Sequence, residues 1–343
     1  MNYKELFTAL KNGKIEKCYL FEGEEEFIKH SALLRLRDMV AGGDFAQMNH
    51  TRLQDPAPDE LIAAAETLPF MSDRRFIEVR QCALLTADKA KEYDPDTAVE
   101  KYQDYFLNLP DTACIVFYVR GKAEKRKKMY NLLSKRACVV SFEPLSDQEL
   151  TQWIAQQLNK SGKKINFACC QQLWFSAGRD LTFLANELDK LTAYLGERTE
   201  VTAQDIDAVC VKTTEFKVFD LSDALLSGKG PKALQMLDGL LREGQERLMM
   251  LSLLGRQCRQ LYYIAVMLEN GKRQAEIASE LGLNSFIVPK LIPLAKRYTS
   301  AQLKKAARLC TETEYLVKSG QMMDAGSLEK VMLEIMSLGK EHT

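Results

Sequence analysis

Histidine is nearly missing: His30, His50 and His342 are the only three in 343 residues. That leaves little material for a zinc site or a histidine-based catalytic triad. Nine cysteines are present, yet no two form a Cys-x-x-Cys pair, and an odd count at irregular spacing describes neither a disulfide nor a metal framework. Several lie in apolar runs such as Ala113-Cys114-Ile115-Val116 and Ala137-Cys138-Val139-Val140, which predicts buried, reduced thiols. Net charge is lacking too. The 47 Lys plus Arg balance 47 Asp plus Glu, so no global field favours nucleic acid or an anionic membrane, and only local patches remain. No stretch approaches the ~20 apolar residues of a membrane span. Met1-Asn2-Tyr3-Lys4-Glu5 lacks the basic start and apolar run of a signal peptide. A cytoplasmic protein without a bound metal is expected.

Catalytic motifs are absent as well. There is no G-x-S-x-G, H-E-x-x-H or G-x-G-x-x-G, so the usual nucleophile, zinc and dinucleotide signatures are missing. A P-loop needs G-x-x-x-x-G-K-[ST] after a strand, so that backbone N–H groups and a lysine cradle phosphate. The corresponding segment here is Tyr19-Leu20-Phe21-Glu22-Gly23-Glu24-Glu25-Glu26-Phe27-Ile28-Lys29-His30. It has one glycine, no Gly-Lys pair and four glutamates that repel phosphate. Lys29 is the one residue that a divergent ATPase reading would use. The apolar run Cys114–Val119 ends in Arg120, where carboxylates would otherwise hold Mg²⁺. No catalytic residue and no cofactor are expected.

The chain is too long for one ordinary core. Up to about Phe142, short strand-like runs alternate with helical ones: Cys18–Phe21, Gln47–Leu53, Phe76–Val79, Cys114–Val119 and Val139–Phe142, with helices at Phe27–Val40 and Pro58–Thr67. Such alternation predicts a mostly parallel three-layer α/β domain. After Pro144 the pattern becomes helical. Ser146-Asp147-Gln148-Glu149 reads as a capping box, helices are expected at Phe167–Ala177 and Asp180–Leu195, and Thr202 caps another. From Phe216, with a helix at Asp220–Ser227 and a long one near Glu246–Glu269, wide apolar stripes continue up to Lys340 and demand a bundle. Three domains are expected: residues 1–143, 144–212 and 213–343.

Two segments stand out from this scaffold. Leu68-Pro69-Phe70-Met71 lies between a helix and a strand, where connections are usually polar. Pro69 ends the helix and biases Leu68 towards an extended shape. These residues either tuck back into the core or are presented as a wedge whose apolar side chains fill a partner's pocket. Arg120-Gly121-Lys122-Ala123-Glu124-Lys125-Arg126-Lys127-Lys128, continuing to Lys135-Arg136, reads as a solvated helix face. Alternatively, Lys122, Lys125, Arg126, Lys127 and Lys128 contact the phosphates of DNA. With only Tyr130 interrupting the run, a stacking platform for single strands is not indicated.

The order of several fragments resembles the delta subunit of the bacterial DNA polymerase III clamp loader. They are Tyr19-Leu20-Phe21-Glu22-Gly23-Glu24-Glu25, Leu68-Pro69-Phe70-Met71-Ser72-Asp73-Arg74-Arg75, Gly178-Arg179-Asp180-Leu181, Asn186-Glu187-Leu188-Asp189-Lys190-Leu191 and Val218-Phe219-Asp220-Leu221-Ser222-Asp223-Ala224. Gly255-Arg256-Gln257-Cys258-Arg259-Gln260-Leu261, Lys318-Ser319-Gly320 and Leu328-Glu329 complete the series. The resemblance implies a degenerate AAA+ P-loop-like domain without a nucleotide site, a helical lid and a C-terminal helical collar. It also implies a non-catalytic subunit that binds and helps open the sliding clamp (beta) through Leu68, Pro69, Phe70 and Met71. Its implied partners are the gamma/tau and delta-prime loader subunits, reached through the collar, and primed DNA within the assembly. Some members carry two adjacent bulky apolar residues in the wedge; here Pro69 separates Leu68 from Phe70. A divergent ATPase and a nucleic-acid-binding adaptor are the competing expectations.

Overall fold

The computed structural model describes residues 1–88, 93–283 and 287–338; His342 and the expected helix end at Lys340 lie outside the described residues. The chain divides into two compact units, Met1–Gln148 and Glu149–Thr343. The first contains α1 (Tyr3–Lys11), β1 (Cys18–Glu22), α2 (Glu26–Ala41), β2 (His50–Gln54), α3 (Pro58–Glu66), β3 (Arg75–Arg80), α4 (Pro95–Tyr105), β4 (Ala113–Tyr118), α5 (Lys128–Arg136) and β5 (Cys138–Ser141). Its five strands are all parallel, in the order β2-β3-β4-β1-β5. Leu20 in β1 pairs with Phe117 of β4 on one side and Val139 of β5 on the other.

Burial explains the order. Every residue of β1 and β4 is buried, as expected for inner strands covered on both faces. The edge strand β2 is only partly covered. Helix α2 buries Ile28, Ala32, Leu33, Leu36 and Val40 at three- and four-residue steps. Pro58 starts α3 with Asp59 and Glu60 in its first turn, where a missing N–H costs nothing and the helix dipole favours acids.

An all-parallel sheet puts every strand start on one edge and every strand end on the opposite one. At the starting edge, Phe76 donates its N–H to Asn49 O (2.7 Å), Arg75 to Thr112 O (2.7 Å) and Ile115 to Lys17 O (2.8 Å). At the finishing edge, Gly23 donates to Gly121 O (2.8 Å) and Phe142 to Glu22 O (2.8 Å).

Among its described residues the second unit is helical apart from loops and a two-stranded ribbon, β6 (Lys164–Ile165) with β7 (Glu200–Val201). Its helices are α6 (Asp147–Lys160), α7 (Phe167–Ala177), α8 (Leu181–Leu195), α9 (Ala203–Val209), α10 (Thr214–Leu226), α11 (Gly230–Arg242), α12 (Arg247–Glu269), α13 (Gln274–Glu280), α14 (Val288–Ala295), α15 (Ser300–Lys318) and α16 (Ser327–Leu338). Leu181, Leu184, Leu188, Leu191 and Leu195 of α8 are all buried. The long α12 buries Leu251, Leu254, Cys258, Leu261 and Ile264 in a core shared with α15. Residue 212 falls inside this unit. Phe175 of α7 stands edge-on to Phe216 (5.3 Å) and Phe219 (5.4 Å) of α10, so packing runs across that point.

Several boundaries differ from expectation. The strand expected from Gln47 begins at His50, because residues 43–49 form successive tight turns. The helix expected at Asp220 begins at Thr214, capped by the Thr213 hydroxyl. The basic run is not one helix: residues 120–127 are irregular, and α5 starts at Lys128. Eight of the nine cysteines are buried and Cys138 is half-buried.

Candidate interaction site

The finishing edge of the sheet is the place where α/β proteins usually receive a ligand. Here the protein's own groups fill it. Gly23 sits at φ +119°, and a Cβ there would lie 2.2 Å from Phe142 O; only glycine permits that approach. Lys29 is fully buried, and its ammonium donates to Gly23 O (2.7 Å), Val119 O (2.7 Å) and the Glu26 carboxylate (2.6 Å). An ammonium has three protons, so all three are engaged inside the protein. Burial pulls the Lys29 ammonium below the usual lysine range, outweighing the support of Glu26. Burial raises the Glu26 carboxyl, but Lys29, the Gly121 N–H and the Tyr118 hydroxyl together hold it below the usual range. Glu22, also buried, accepts from Ala123 N (3.1 Å) and the Tyr130 hydroxyl (3.2 Å). Lys29 is thus a structural strut.

The starting edge is different. Thr67 closes α3 by donating its N–H and hydroxyl to Ala63 O, and Pro69, lacking an N–H, stops the helix from continuing. Leu68 is 75% exposed, Phe70 50% and Met71 77%, with Pro69 half-buried. Three large apolar side chains therefore stand in solvent within four residues. The reading in which they tuck into the core is excluded in this conformation. Met71 adopts φ +49°, a left-handed bend that a non-glycine residue takes at some cost.

The Leu68–Met71 segment rests on a fixed base. Arg74 donates to Ile15 O (3.2 Å) and Arg75 to the Thr51 hydroxyl (3.0 Å). The buried Asn49 side chain holds Phe70 at both ends of its backbone: Phe70 N–H donates to Oδ1 (2.7 Å), and Nδ2 donates to Phe70 O (2.8 Å). Sequence reasoning missed Asn49, because it placed residues 47–49 in a strand. The available signal was Gly42-Gly43 followed by Phe45 and Met48, a loop start with isolated apolar residues.

Residues 19–143 match the family model "DNA polymerase III, delta subunit", and residues 215–335 match that of its C-terminal domain. The chain belongs to the DNA polymerase III delta subunit family. It is 24% identical to DNA polymerase III subunit delta of Bacillus subtilis over 98% of both chains. Identity to the Escherichia coli subunit of the same name is 24%, covering 92% of this chain and 90% of that one. A solved structure of a B. subtilis DNA clamp loader delta protein has a similar fold, with a TM-score of 0.57 at 24% identity, covering 98% of this chain and 99% of that one.

The basic residues do not assemble into one free surface. Lys122 lies 3.4 Å from both Glu143 and Glu24, which raise its pKa, and Lys128 pairs with Asp96 at 2.9 Å. Lys127 is half-buried and donates to Ala83 O (3.4 Å). Lys125 and Arg126 are exposed with no ion pair among the described residues. No group of three or more metal-ligating side chains occurs among the described residues, and no helix there is long and apolar enough to cross a membrane.

Proposed function

We propose that this chain is a non-catalytic clamp-loader subunit that grips the sliding clamp with Leu68, Phe70 and Met71 and helps open it for loading onto primed DNA. The observation that carries this reading is the exposure of those three side chains on a loop whose base is bolted to the sheet. A preorganised apolar anchor is the usual form of an interface hot spot. Full burial of each side chain in a partner is worth about 1.5–3 kcal/mol. Phe70, held at its backbone, is the principal anchor, with Leu68 and Met71 beside it. Opening follows if the wedge binds the open or strained clamp more tightly than the closed one, since only differential affinity shifts an equilibrium.

The filled finishing edge supports the absence of intrinsic ATP chemistry in this subunit, leaving nucleotide to neighbouring subunits of the assembly. In this reading residues 1–143 form an AAA+-like domain, 144–212 a lid and 213–343 a collar that joins the gamma/tau and delta-prime subunits. The assembly works on primed DNA in the cytoplasm. Lys125 and Arg126, rather than the ion-paired Lys122 and Lys128, are the basic residues best placed to meet phosphate.

Calorimetric titration of the purified chain with its own organism's sliding clamp tests the wedge. The wild type is expected to bind, and Leu68→Ala with Phe70→Ala to lose about a hundredfold in affinity or more. Equal affinity of the two proteins overturns the assignment. Appreciable ATP hydrolysis by the isolated chain, abolished by Lys29→Ala, would instead favour a divergent ATPase.

A further inference from the structure

The wedge has a second side. Between α2 and β2 the chain makes a compact loop in which Gly42 is required, since a Cβ there would lie 2.1 Å from Asp38 O. Ala46 donates its N–H to Gly43 O, Met48 to Phe45 O and Asn49 to Ala46 O, giving consecutive tight turns. This construction leaves Phe45 40% and Met48 57% exposed. The Phe45 ring stands edge-on to Phe70, with centroids 5.2 Å apart at 79°, the orientation that the aromatic quadrupoles favour. The last residue of the loop, Asn49, is 1% exposed and carries the two hydrogen bonds to Phe70. Its amide orientation is fixed by this network, because a flipped amide loses both bonds.

We infer that the α2–β2 loop is the other half of the docking surface: Asn49 positions the Phe70 backbone, Phe45 sets the Phe70 ring, and Phe45 and Met48 widen the apolar face offered to the clamp. This inference rests on the wedge reading above. A lone exposed segment of four residues would sample many conformations and lose that freedom on binding. Asn49 removes most of it in advance. It treats Phe70 as a neighbouring strand residue would, with one acceptor for its N–H and one donor for its carbonyl. The occupant is an apolar pocket on the clamp, because this face consists of phenylalanine, leucine and methionine and the hydrogen bonds around Asn49 are all satisfied internally. Asn49 is a positioning residue: it is buried and acts through Phe70. Phe45 and Met48 are contact residues.

The test is a double-substitution cycle on the full chain, titrated with the organism's sliding clamp. Asn49→Ala is expected to weaken binding about tenfold, through loss of its two bonds to Phe70 and a longer one to Phe45 O (3.3 Å), and to speed hydrogen exchange at the Phe70 amide. Combined with Phe70→Ala, it is expected to add no more than about twofold, because its effect passes through the side chain already removed. A general loss of stability would instead multiply with Phe70→Ala and leave the Phe70 amide no more exposed than its neighbours. Wild-type affinity for Asn49→Ala, or fully multiplicative losses, overturns the inference while Phe70→Ala still weakens binding. Wild-type affinity for Phe70→Ala overturns the wedge reading and this inference with it. Phe45→Ala, at an exposed ring, serves where Asn49→Ala does not fold. It is expected to weaken binding about threefold to tenfold, through its own contact and through the Phe70 ring, and so to be partly non-additive with Phe70→Ala; an absent effect overturns the inference, and a fully additive one overturns Phe45's hold on the Phe70 ring.

Discussion

The two edges of the parallel sheet solve opposite problems with the same loop chemistry. At the strand ends, a glycine and a lysine are used to close a space. Gly23 lets Phe142 O come near, and Lys29 spends its three protons on Gly23, Val119 and Glu26. At the strand starts, a buried amide and a proline hold a segment out: Asn49 fixes the Phe70 backbone and Pro69 ends the helix before it. Charge is turned inward at one edge, and apolar surface is turned outward at the other. Polar groups in a loop therefore do not by themselves mark the functional side of an α/β unit. In the reading proposed above, what marks it is which groups are left with unmet contacts.

That contrast predicts a crossed pattern of losses. The largest belongs to the wedge. Leu68→Ala with Phe70→Ala is expected to remove about a hundredfold in clamp affinity while moving the unfolding free energy by no more than about 2 kcal/mol, since Phe70 is half exposed and loses only its ring contact with Phe45. A large drop in thermal midpoint would mean that these side chains belong to the core. Next comes the opposite edge. Lys29→Ala is expected to cost about 2–4 kcal/mol in denaturant unfolding, through a cavity and unmet carbonyls, with clamp affinity of the folded protein unchanged. An unaltered stability would show that Lys29 is not the strut described here.

A smaller effect lies between the edges. Burial raises the Glu78 carboxyl in β3, but Arg80, Arg52 and His50 outweigh it and hold the carboxyl below its ordinary 4.5. A carboxylate depressed on folding contributes stability that is full above 4.5 and is lost as pH falls through its folded value. Glu78→Gln should therefore flatten that acid limb of the stability curve, measured by urea unfolding from pH 6 downward to about pH 3. A limb that keeps its slope would assign it to other carboxylates.

The sequence makes some of this contrast legible and hides the rest for a physical reason. The lack of phosphate-binding glycines between Tyr19 and His30 is a local pattern, as is the apolar break at Leu68–Met71, and both can be read directly. Strands β1, β3 and β4 and helices α7 and α8 follow equally local periodicities and fall within a residue or two of their expected places. What fills the finishing edge is different, because Lys29 reaches Val119, ninety residues away. Asn49 reaches Phe70 across twenty-one. The basic run looks continuous along the chain, yet Lys122 and Lys128 find acids at Glu24, Glu143 and Asp96. Long-range pairing of polar side chains has no period, so neither struts nor neutralised charges announce themselves in sequence.

Hydrogen exchange on the full chain with and without its sliding clamp tests the central claim most directly. Slowed exchange is expected at residues 68–71 and 43–49 on adding clamp, with residues 22–29 unchanged. Protection at residues 22–29 or in the second unit, with none at 68–71, would contradict it.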